Sequence, residues 1–489
     1  MNEFFSEHEI KVEADALALL PRQICLRLKV LPLALHNGTL RVVMAEPDNL
    51  LAADEITRRC GLRLEVSRAP ADVIQRAILK YYDDDDSTPV AAPAAPDVLA
   101  RLVSEAPAVA AVNDLLRSAV AQRATDIHIE PQERNLLVRF RVDGVMYDQT
   151  HISLEVHPSI VSRVKILAHL DIAERRLPQD GRFEYDVGGR DFDIRVSTVP
   201  TITGEYIALR LLPKQGSAMA LEDLGLSPAQ LRTVSDLITR PYGMILATGP
   251  TGSGKTTTLY ACLTRVDRGA KNVITIEEPV EYRISRVAQI PVYPKIGLTF
   301  ALGLRHILRQ DPDVLMVGEV RDLETVQMAI QSALTGHLLF STLHCNDACG
   351  APVRLLDMGA EPFLVSSSLA AVIAQRLLRR ICVNCKEQFE PTQETRERLG
   401  LAQGLGPFYR GRGCAACRGT GYRGMIGVFE LLALDDELRA AIVRKVSAGE
   451  LRGLARDRGI PTLRDDGMGK ALLGVTTLEE VLRAVYLEV

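Results

Sequence analysis

The chain has 489 residues and a mass of 53.7 kDa, which is long enough for about three domains with separate cores. Apolar residues make up 47% of it and charged residues 25%, with 58 basic against 62 acidic side chains and a formal net charge of -4. This composition is typical of a globular protein, and it excludes a disulfide miniprotein and a fibre. The chain also lacks the overall excess of basic residues that many nucleic-acid binders have.

Two kinds of targeting segment are expected to be absent. Residues 1–9 contain three glutamates and no apolar run after a basic residue, so no secretory signal is predicted. Polar side chains interrupt the uncharged stretch 325–346, so no transmembrane helix is predicted. The protein is therefore expected to stay in the cytoplasm, where the nine cysteines would be reduced thiols or metal ligands.

Residues 1–82 are predicted to form a small α+β domain. Asn37-Gly38 lies between two apolar runs and is suited to the positive φ angles of a tight hairpin turn. Residues 83–97 combine a run of four aspartates, at 83–86, with prolines and alanines, which predicts a linker. The predicted elements of the domain are a helix over 14–28, strands over 30–35 and 40–44, a helix over 47–59, a strand over 62–66 and a helix over 70–81.

Residues 98–215 are predicted to form a second α+β domain, PAS-like, with a mostly antiparallel sheet. Gly188-Gly189 separates two strand-like runs and indicates a hairpin. The predicted elements are a helix around 109–120, strands over 127–130 and 136–142, a helix over 160–170, and strands over 182–187, 192–196 and 206–212.

Residues 221–489 are predicted to form a third domain, of the α/β class. Short apolar strands over 243–247, 273–276, 314–317 and 337–343 alternate with helical stretches. Such alternation is typical of a parallel sheet with helices on both faces and ligands at the carboxyl ends of its strands. The domain is expected to end in helices.

The most specific motif in the chain is an eight-residue phosphate loop, placed between a predicted strand and a predicted helix. Its glycines let backbone N–H groups surround a triphosphate, its lysine adds a positive charge, and the last threonine offers Mg²⁺ a hydroxyl. The alternative is an ordinary glycine-rich turn. No Asn-Lys-x-Asp box is present to recognise guanine, so ATP is the expected nucleotide. The nucleotide-binding residues are predicted to be Gly249, Pro250, Thr251, Gly252, Ser253, Gly254, Lys255, Thr256 (also for magnesium) and Thr257.

Two acids and a histidine end other predicted strands. Glu319 follows an apolar strand, and because Gly318 replaces the usual metal-binding aspartate, Glu319 is predicted to act near the metal alone. Glu277 is predicted to orient the attacking water. His344 ends a strand near the nucleotide and is predicted to sense the γ-phosphate, whereas His337, at the other end, is predicted to hold structure or an interface. The alternative for both acids is helix capping or solvation.

Four cysteines form two Cys-x-x-Cys pairs within a segment at about 380–420. Two such loops can place four thiolates around one tetrahedral ion and leave no open position, so a structural zinc site is predicted. A redox pair or coincidental buried thiols are the alternatives. The predicted zinc ligands are Cys382, Cys385, Cys414 and Cys417.

The ordered motifs resemble the secretion ATPase superfamily of type II secretion and type IV pilus systems, and within it the general secretory pathway protein E family. The four cysteines are similar to those of its assembly ATPases. The other matching motifs are Thr275-Ile276-Glu277-Glu278-Pro279-Val280-Glu281, Leu308-Arg309-Gln310-Asp311-Pro312-Asp313, Thr335-Gly336-His337, Leu343-His344, Arg139-Phe140-Arg141-Val142-Asp143-Gly144 and Pro178-Gln179-Asp180-Gly181-Arg182.

The resemblance implies a RecA-like ATPase in a hexamer, with ATP, Mg²⁺ and Zn²⁺. A neighbour's second domain would bring Arg195 and Arg210 to the nucleotide as arginine fingers, although the residues alone favour salt bridges or solvation for both. A bitopic inner-membrane protein would hold the N-terminal domain, and a polytopic platform protein would complete the docking. Glu278 and Cys345 depart from the family's aspartate and threonine.

The expected function is an ATP-driven motor for pseudopilus assembly in type II secretion. Three alternatives remain: a type IV pilus assembly ATPase, a RecA-like nucleic-acid translocase, and a nucleotide-binding module without turnover. The charge balance does not favour a nucleic-acid partner.

Overall fold

The computed structural model describes residues 12–82 apart from 18, 21, 37, 46, 48–51, 54–55, 58–59 and 61, and then 96–214, 219–399, 401 and 405–485. Contacts divide the chain into two compact units, Met1–Val103 and Ser104–Val489. The predicted linker lies outside the described residues except for 96 and 97, which begin a helix.

The first unit contains a three-stranded sheet in the order β1-β2-β3. The predicted hairpin is confirmed, since β1 pairs antiparallel with β2 through His36 and Thr39, although Asn37 lies outside the described residues. Strand β3 runs parallel to β2. One helix was predicted over 14–28, but two short helices are found there; the predicted helix over 47–59 is described only in part. The elements are α1 (Ala14–Leu17), α2 (Arg22–Leu28), β1 (Val30–His36), β2 (Thr39–Met44), β3 (Arg63–Arg68) and α3 (Ala71–Tyr81).

The second unit begins with a six-stranded antiparallel sheet in the order β6-β5-β4-β9-β8-β7. The predicted strands are present. Strand β6 was not predicted because its half-buried residues lack a clean alternation of apolar and polar side chains. The elements are α4 (Pro96–Ala121), which begins in the first unit, β4 (Ala124–Pro131), β5 (Leu136–Val142), β6 (Val145–Ile152), α5 (His157–Leu167), β7 (Gln179–Asp186), β8 (Asp191–Thr201) and β9 (Gly204–Pro213).

A seven-stranded sheet forms the centre of the rest of this unit, in the order β12-β11-β13-β14-β10-β15-β18. The four predicted strands are parallel, as expected, but β18 pairs antiparallel with β15 at one edge, so the sheet is mixed. The strands are β10 (Gly243–Thr248), β11 (Val273–Glu277), β12 (Ala288–Pro291), β13 (Val314–Val317), β14 (Leu338–Leu343), β15 (Leu369–Ile381) and β18 (Tyr422–Ala433).

Separate apolar clusters cover the two faces of this sheet. Met244 and Leu246 of β10 belong to one cluster, whereas Ile245 and Ala247 belong to the other, because side chains alternate along a strand. The α/β class with helices on both faces is thus confirmed. The helices are α6 (Pro228–Ile238), α7 (Lys255–Arg265), α8 (Phe300–Ile307), α9 (Leu323–Leu334), α10 (Gly350–Asp357), α11 (Pro362–Ser368), α12 (Gln393–Leu399), α13 (Asp436–Val443), α14 (Ala448–Asp457), α15 (Leu463–Leu472) and α16 (Leu478–Val485).

A small lobe is inserted between β15 and β18. It contains the two-stranded antiparallel sheet of β16 (Lys386–Phe389) and β17 (Phe408–Gly411), together with α12. We call the segment Cys382–Gly421 the tetracysteine lobe. Both of its ends continue into the long antiparallel pair β15–β18, so the lobe is attached to the edge of the central sheet.

Candidate functional site

The glycine-rich loop connects β10 to α7 at the carboxyl end of the parallel strands. Gly249, Gly252 and Gly254 have φ angles of 147°, 77° and 90°, which other residues rarely adopt. A Cβ atom on Gly249 would lie 2.5 Å from the backbone oxygen of Gln375, so a larger residue does not fit there. This loop therefore has the backbone shape that directs N–H groups and a helix N-terminus at a phosphate.

Lys255 begins α7 and is buried beneath the loop. Its ammonium donates to the backbone oxygens of Gly249 at 2.7 Å and of Pro250 at 3.0 Å. Burial lowers the pKa of this ammonium, and the carboxylate of Glu319 opposes that shift. The lysine is therefore a positive charge held at the loop, with an acid nearby.

Hydroxyl side chains of the loop add to its polar surface. The Oγ atom of Ser253 is buried and has no hydrogen-bond partner among the described residues. A phosphate oxygen would supply the missing partner. Thr256 and Thr257 are partly exposed residues at the start of α7.

Glu319 is the second residue after β13 and lies at the same edge of the sheet. Its carboxylate pairs with the guanidinium of Arg321, and it lies 3.6 Å from Nε2 of His344, which directly follows β14. Arg321 also lies 3.2 Å from the carboxylate of Glu278. His337, at the opposite end of β14, has its Nδ1 2.9 Å from the backbone oxygen of Ser332. We call residues 249–257, Glu319, Arg321 and His344 the nucleotide edge.

Glu277 ends β11, but the residue is only 2% exposed. Thr275 donates to it at 2.5 Å and Gln289 at 3.2 Å, and the hydroxyl of Tyr260 donates to its other oxygen. Burial raises the pKa of this carboxyl, and the three donors oppose that shift. Among the described residues no hydrogen bond or ion pair joins Glu277 to the nucleotide edge. Glu277 and Glu319 therefore lie in different environments.

Arg195 and Arg210 occupy paired positions on β8 and β9. Nη2 of Arg195 lies 3.3 Å from the carboxylate of Glu281, and Nε of Arg210 lies 3.0 Å from that of Asp126. Both line a cavity of ≈ 580 Å³ that also contains Arg182. Neither arginine contacts the phosphate loop of its own chain in the described residues; each is held by a carboxylate.

The four cysteines of the tetracysteine lobe converge on one point. All four Sγ atoms lie within 4.8 Å of one another. Three of the separations are 3.8, 3.8 and 3.7 Å. Four sulfurs each about 2.3 Å from a central zinc ion would be about 3.8 Å apart, so the cluster has the dimensions of a Cys₄ zinc site. The predicted ligands Cys382, Cys385, Cys414 and Cys417 are therefore together.

The tetracysteine lobe and the adjoining strand β18 contact the six-stranded domain. Arg418 donates to the backbone oxygen of Ala121 at 3.2 Å, and the backbone N–H of Gly424 donates to Asp143 at 2.8 Å. These contacts tie the six-stranded domain to the lobe side of the central sheet.

Two residues of the site were not singled out for a role from the sequence. They are Arg321, which pairs with Glu319, and Tyr260, which donates to Glu277. Tyr260 lies on the buried face of α7, where an aromatic residue is ordinary core, and its partner Glu277 follows only after a long interval of chain. Only the fold brings the two together.

A glycine loop on a parallel sheet, with an acid and a histidine at the ends of neighbouring strands, defines a phosphate-loop ATPase of the RecA-like class. The chain belongs to the Type II/IV secretion system protein family, whose model matches residues 101–483. A second model, the MshEN domain, matches residues 3–88.

Two relatives and one solved structure illustrate the likeness. The chain is 45% identical to "Type IV pilus assembly ATPase PilB" of Thermus thermophilus. The match covers 95% of this chain but only 54% of that protein. It is 44% identical to "Type II secretion system protein E" of Dickeya dadantii, covering 95% of this chain and 96% of the relative. The crystal structure of "the Pilus Retraction Motor PilT and Bound ADP" matches with a TM-score of 0.51 and 25% identity, covering 76% of this chain and 96% of that one.

The predicted family, fold class and ATPase activity are thereby confirmed. The predicted ATP and zinc are supported by the family and by the cysteine geometry, whereas the domain boundaries and the roles of individual site residues stay predictions. Among the described residues, no helix combines the length and the apolar character that crossing a bilayer requires.

Proposed function

We propose that the chain is a hexameric motor that hydrolyses ATP to drive pseudopilus assembly for protein export by a type II secretion system. The observation that carries this proposal is the nucleotide edge, where Glu319 and His344 lie beside a glycine loop that contains the buried Lys255. The relatives named for type II secretion support the biological setting.

In this proposal the loop amides and Lys255 bind the β- and γ-phosphates. The hydroxyl of Thr256 and the carboxylate of Glu319 would hold Mg²⁺, which supplies charge neutralisation on the phosphates. His344 would contact the γ-phosphate, and Glu277 would orient the attacking water. Arg195 and Arg210 would leave their carboxylate partners and meet a neighbouring subunit's nucleotide.

The four cysteines would hold one structural zinc ion. The protein would act at the inner membrane from the cytoplasm, docked through the N-terminal domain to a bitopic protein and through other surfaces to a polytopic platform protein. Because no ligand position remains open among four thiolates, zinc would stabilise the lobe and take no part in hydrolysis.

Replacing Lys255 by Ala tests the proposal. Loss of a charge that stabilises the transferring phosphoryl group should reduce ATP turnover by at least about 100-fold. Steady-state phosphate release from the purified protein is the measurement, with Lys295→Ala as the control because Lys295 is an exposed lysine outside the site. Parental turnover by the Lys255→Ala variant would contradict the assignment.

Type IV pilus assembly is the second candidate, because the Thermus thermophilus relative carries that name. Deleting the gene in its own host separates the two. Loss of exported enzymes from the medium with pili intact would indicate secretion, and loss of pili with export intact would indicate pilus assembly.

A further inference from the structure

Tyr260 is a fully buried polar side chain on α7, the helix that begins at Lys255. Its hydroxyl donates to the carboxylate of Glu277. The same oxygen lies 3.3 Å from the backbone nitrogen of Glu281 and 3.4 Å from the side-chain nitrogen of Gln289. One hydroxyl therefore connects the phosphate-loop helix, the end of β11 and strand β12.

We propose that Tyr260 is a positioning residue for Glu277. Its hydroxyl holds the Glu277 carboxylate in place and favours the ionised form, which accepts the hydrogen bond. The inference rests on the proposed role of Glu277 in ATP turnover. It assigns the tyrosine no contact with substrate. Its hydroxyl acts only through the orientation and charge of the acid.

The charges around Glu277 explain why a neutral donor matters there. Tyr260 faces it from α7, and Glu281 and Tyr282 face it from the loop after β11; Gly318 packs against its backbone from the end of β13. No cation pairs with Glu277 among the described residues. Burial raises the pKa of its carboxyl, so the hydrogen-bond donors are what favour the charged form.

Removing one donor should therefore move the pKa of Glu277 further upward. A larger fraction of the protein would then carry a neutral, inactive acid at a given pH. The acidic limb of the turnover profile should shift to higher pH. A residue that merely filled space would not shift this limb.

Tyr260→Phe isolates the hydroxyl. The ring of Tyr260 packs edge-on against Tyr282, with centroids 4.6 Å apart at 78°, and phenylalanine keeps that contact. Tyr282→Phe is the matched control, since it removes a neighbouring hydroxyl for which no hydrogen bond is found in the described part of the chain. Both variants are expected to fold.

The experiment measures kcat and KM for ATP with the 489-residue chain between about pH 5 and 9. In the acidic part of this range, protonation of a catalytic carboxylate limits turnover. For Tyr260→Phe we expect kcat at neutral pH to fall by at least about tenfold, the KM for ATP to stay within about twofold, and the acidic limb to move upward. Tyr282→Phe should keep the parental profile.

A parental profile, a uniform loss at every pH, or a rise in KM alone would overturn the proposal. Glu277→Gln, measured in parallel, separates this failure from a failure of the proposed function. If Glu277→Gln keeps parental turnover, the role of Glu277 is itself wrong. If Glu277→Gln is inactive and Tyr260→Phe is normal, only the role of Tyr260 is wrong.

Discussion

The tetracysteine lobe and the nucleotide edge differ in how complete each is within one chain. In the lobe, four thiols from two short loops already stand at the spacing of a metal site, and they contact one another. At the nucleotide edge, Glu319 pairs with Arg321, and Arg321 also pairs with Glu278 just outside the edge. Arg195 pairs with Glu281 elsewhere on the same chain.

This difference separates stability from activity. A site complete within its own lobe contributes to folding, so damage to it should lower the free energy of unfolding. In the proposed function the charges at the nucleotide edge exchange partners when ATP binds. Their ion pairs within one chain involve the exposed Arg321, and pairs with an exposed partner stabilise little. Damage there should change turnover and leave stability nearly unchanged.

Breaking the zinc site should give the largest loss of stability. Cys417→Ser removes one of four thiolates that would bind zinc, and we expect the free energy of unfolding of the lobe to fall by about 4 kcal/mol or more, because zinc binding is coupled to folding. The bound metal should fall from one zinc per chain to none. Elemental analysis and thermal unfolding are the measurements.

Cys60→Ser is the matched control, since this cysteine lies in the first unit and its Sγ donates to a backbone oxygen, a bond that a serine can make. The nucleotide edge should still bind a fluorescent ATP analogue in Cys417→Ser. A parent protein that lacks zinc and unfolds at the same temperature as Cys417→Ser would contradict the predicted site.

A buried acid beside the lobe should have a smaller effect, and that effect depends on pH. Glu480 is 1% exposed and accepts from Arg379 and Arg483; Arg379 in turn stacks over the ring of Tyr422, 4.0 Å from its centroid. Burial opposes ionisation, but the two arginines outweigh it and bring the pKa of Glu480 from 4.5 to about 2. The ionised acid therefore stabilises the fold by about 3 kcal/mol above its unfolded pKa.

Because the folded pKa is depressed, this stabilisation is complete above pH 4.5 and is lost as the pH falls through about 2. Glu480→Gln should therefore be less stable than the parent at pH 7, and the difference should shrink below pH 4.5. Urea unfolding at several pH values measures it, with the exposed Glu479→Gln as the control. A pH-independent difference would show that packing rather than charge is responsible.

Much of the fold could be predicted because local patterns determine it. The phosphate loop has a fixed spacing, the apolar strands β10, β11, β13 and β14 are bounded by turn residues, and the Cys-x-x-Cys pairs form within short loops. Strands β15 and β18 were not predicted, since a long apolar run is equally compatible with a helix. Their antiparallel pairing joins two strands that the inserted lobe separates in the sequence.

The candidate site was less predictable, because its partners are distant in the sequence. The carboxyl ends of parallel strands meet at one edge, so the nearness of Glu319 and His344 could be predicted from topology. The burial of Glu277 could not, since the same strand end is compatible with an exposed acid. Arg195 is the clearest case: its sequence favours a salt bridge, the family resemblance implies an arginine finger, and the structure shows the salt bridge with Glu281.

Replacing Arg195 by Ala should have the smallest effect on stability and so tests the contrast most directly. Its ion pair with Glu281 is about one-third exposed on both sides, and such pairs contribute less than about 1 kcal/mol to folding. If Arg195 completes a neighbour's site, turnover of the assembled protein should still fall by at least about 100-fold. Arg190→Ala, an exposed arginine in the β7–β8 hairpin, should change neither quantity. Parental turnover in Arg195→Ala would mean that this arginine forms a surface ion pair only. A large loss of stability would contradict the proposed division between a lobe that stabilises the fold and charged residues that serve turnover.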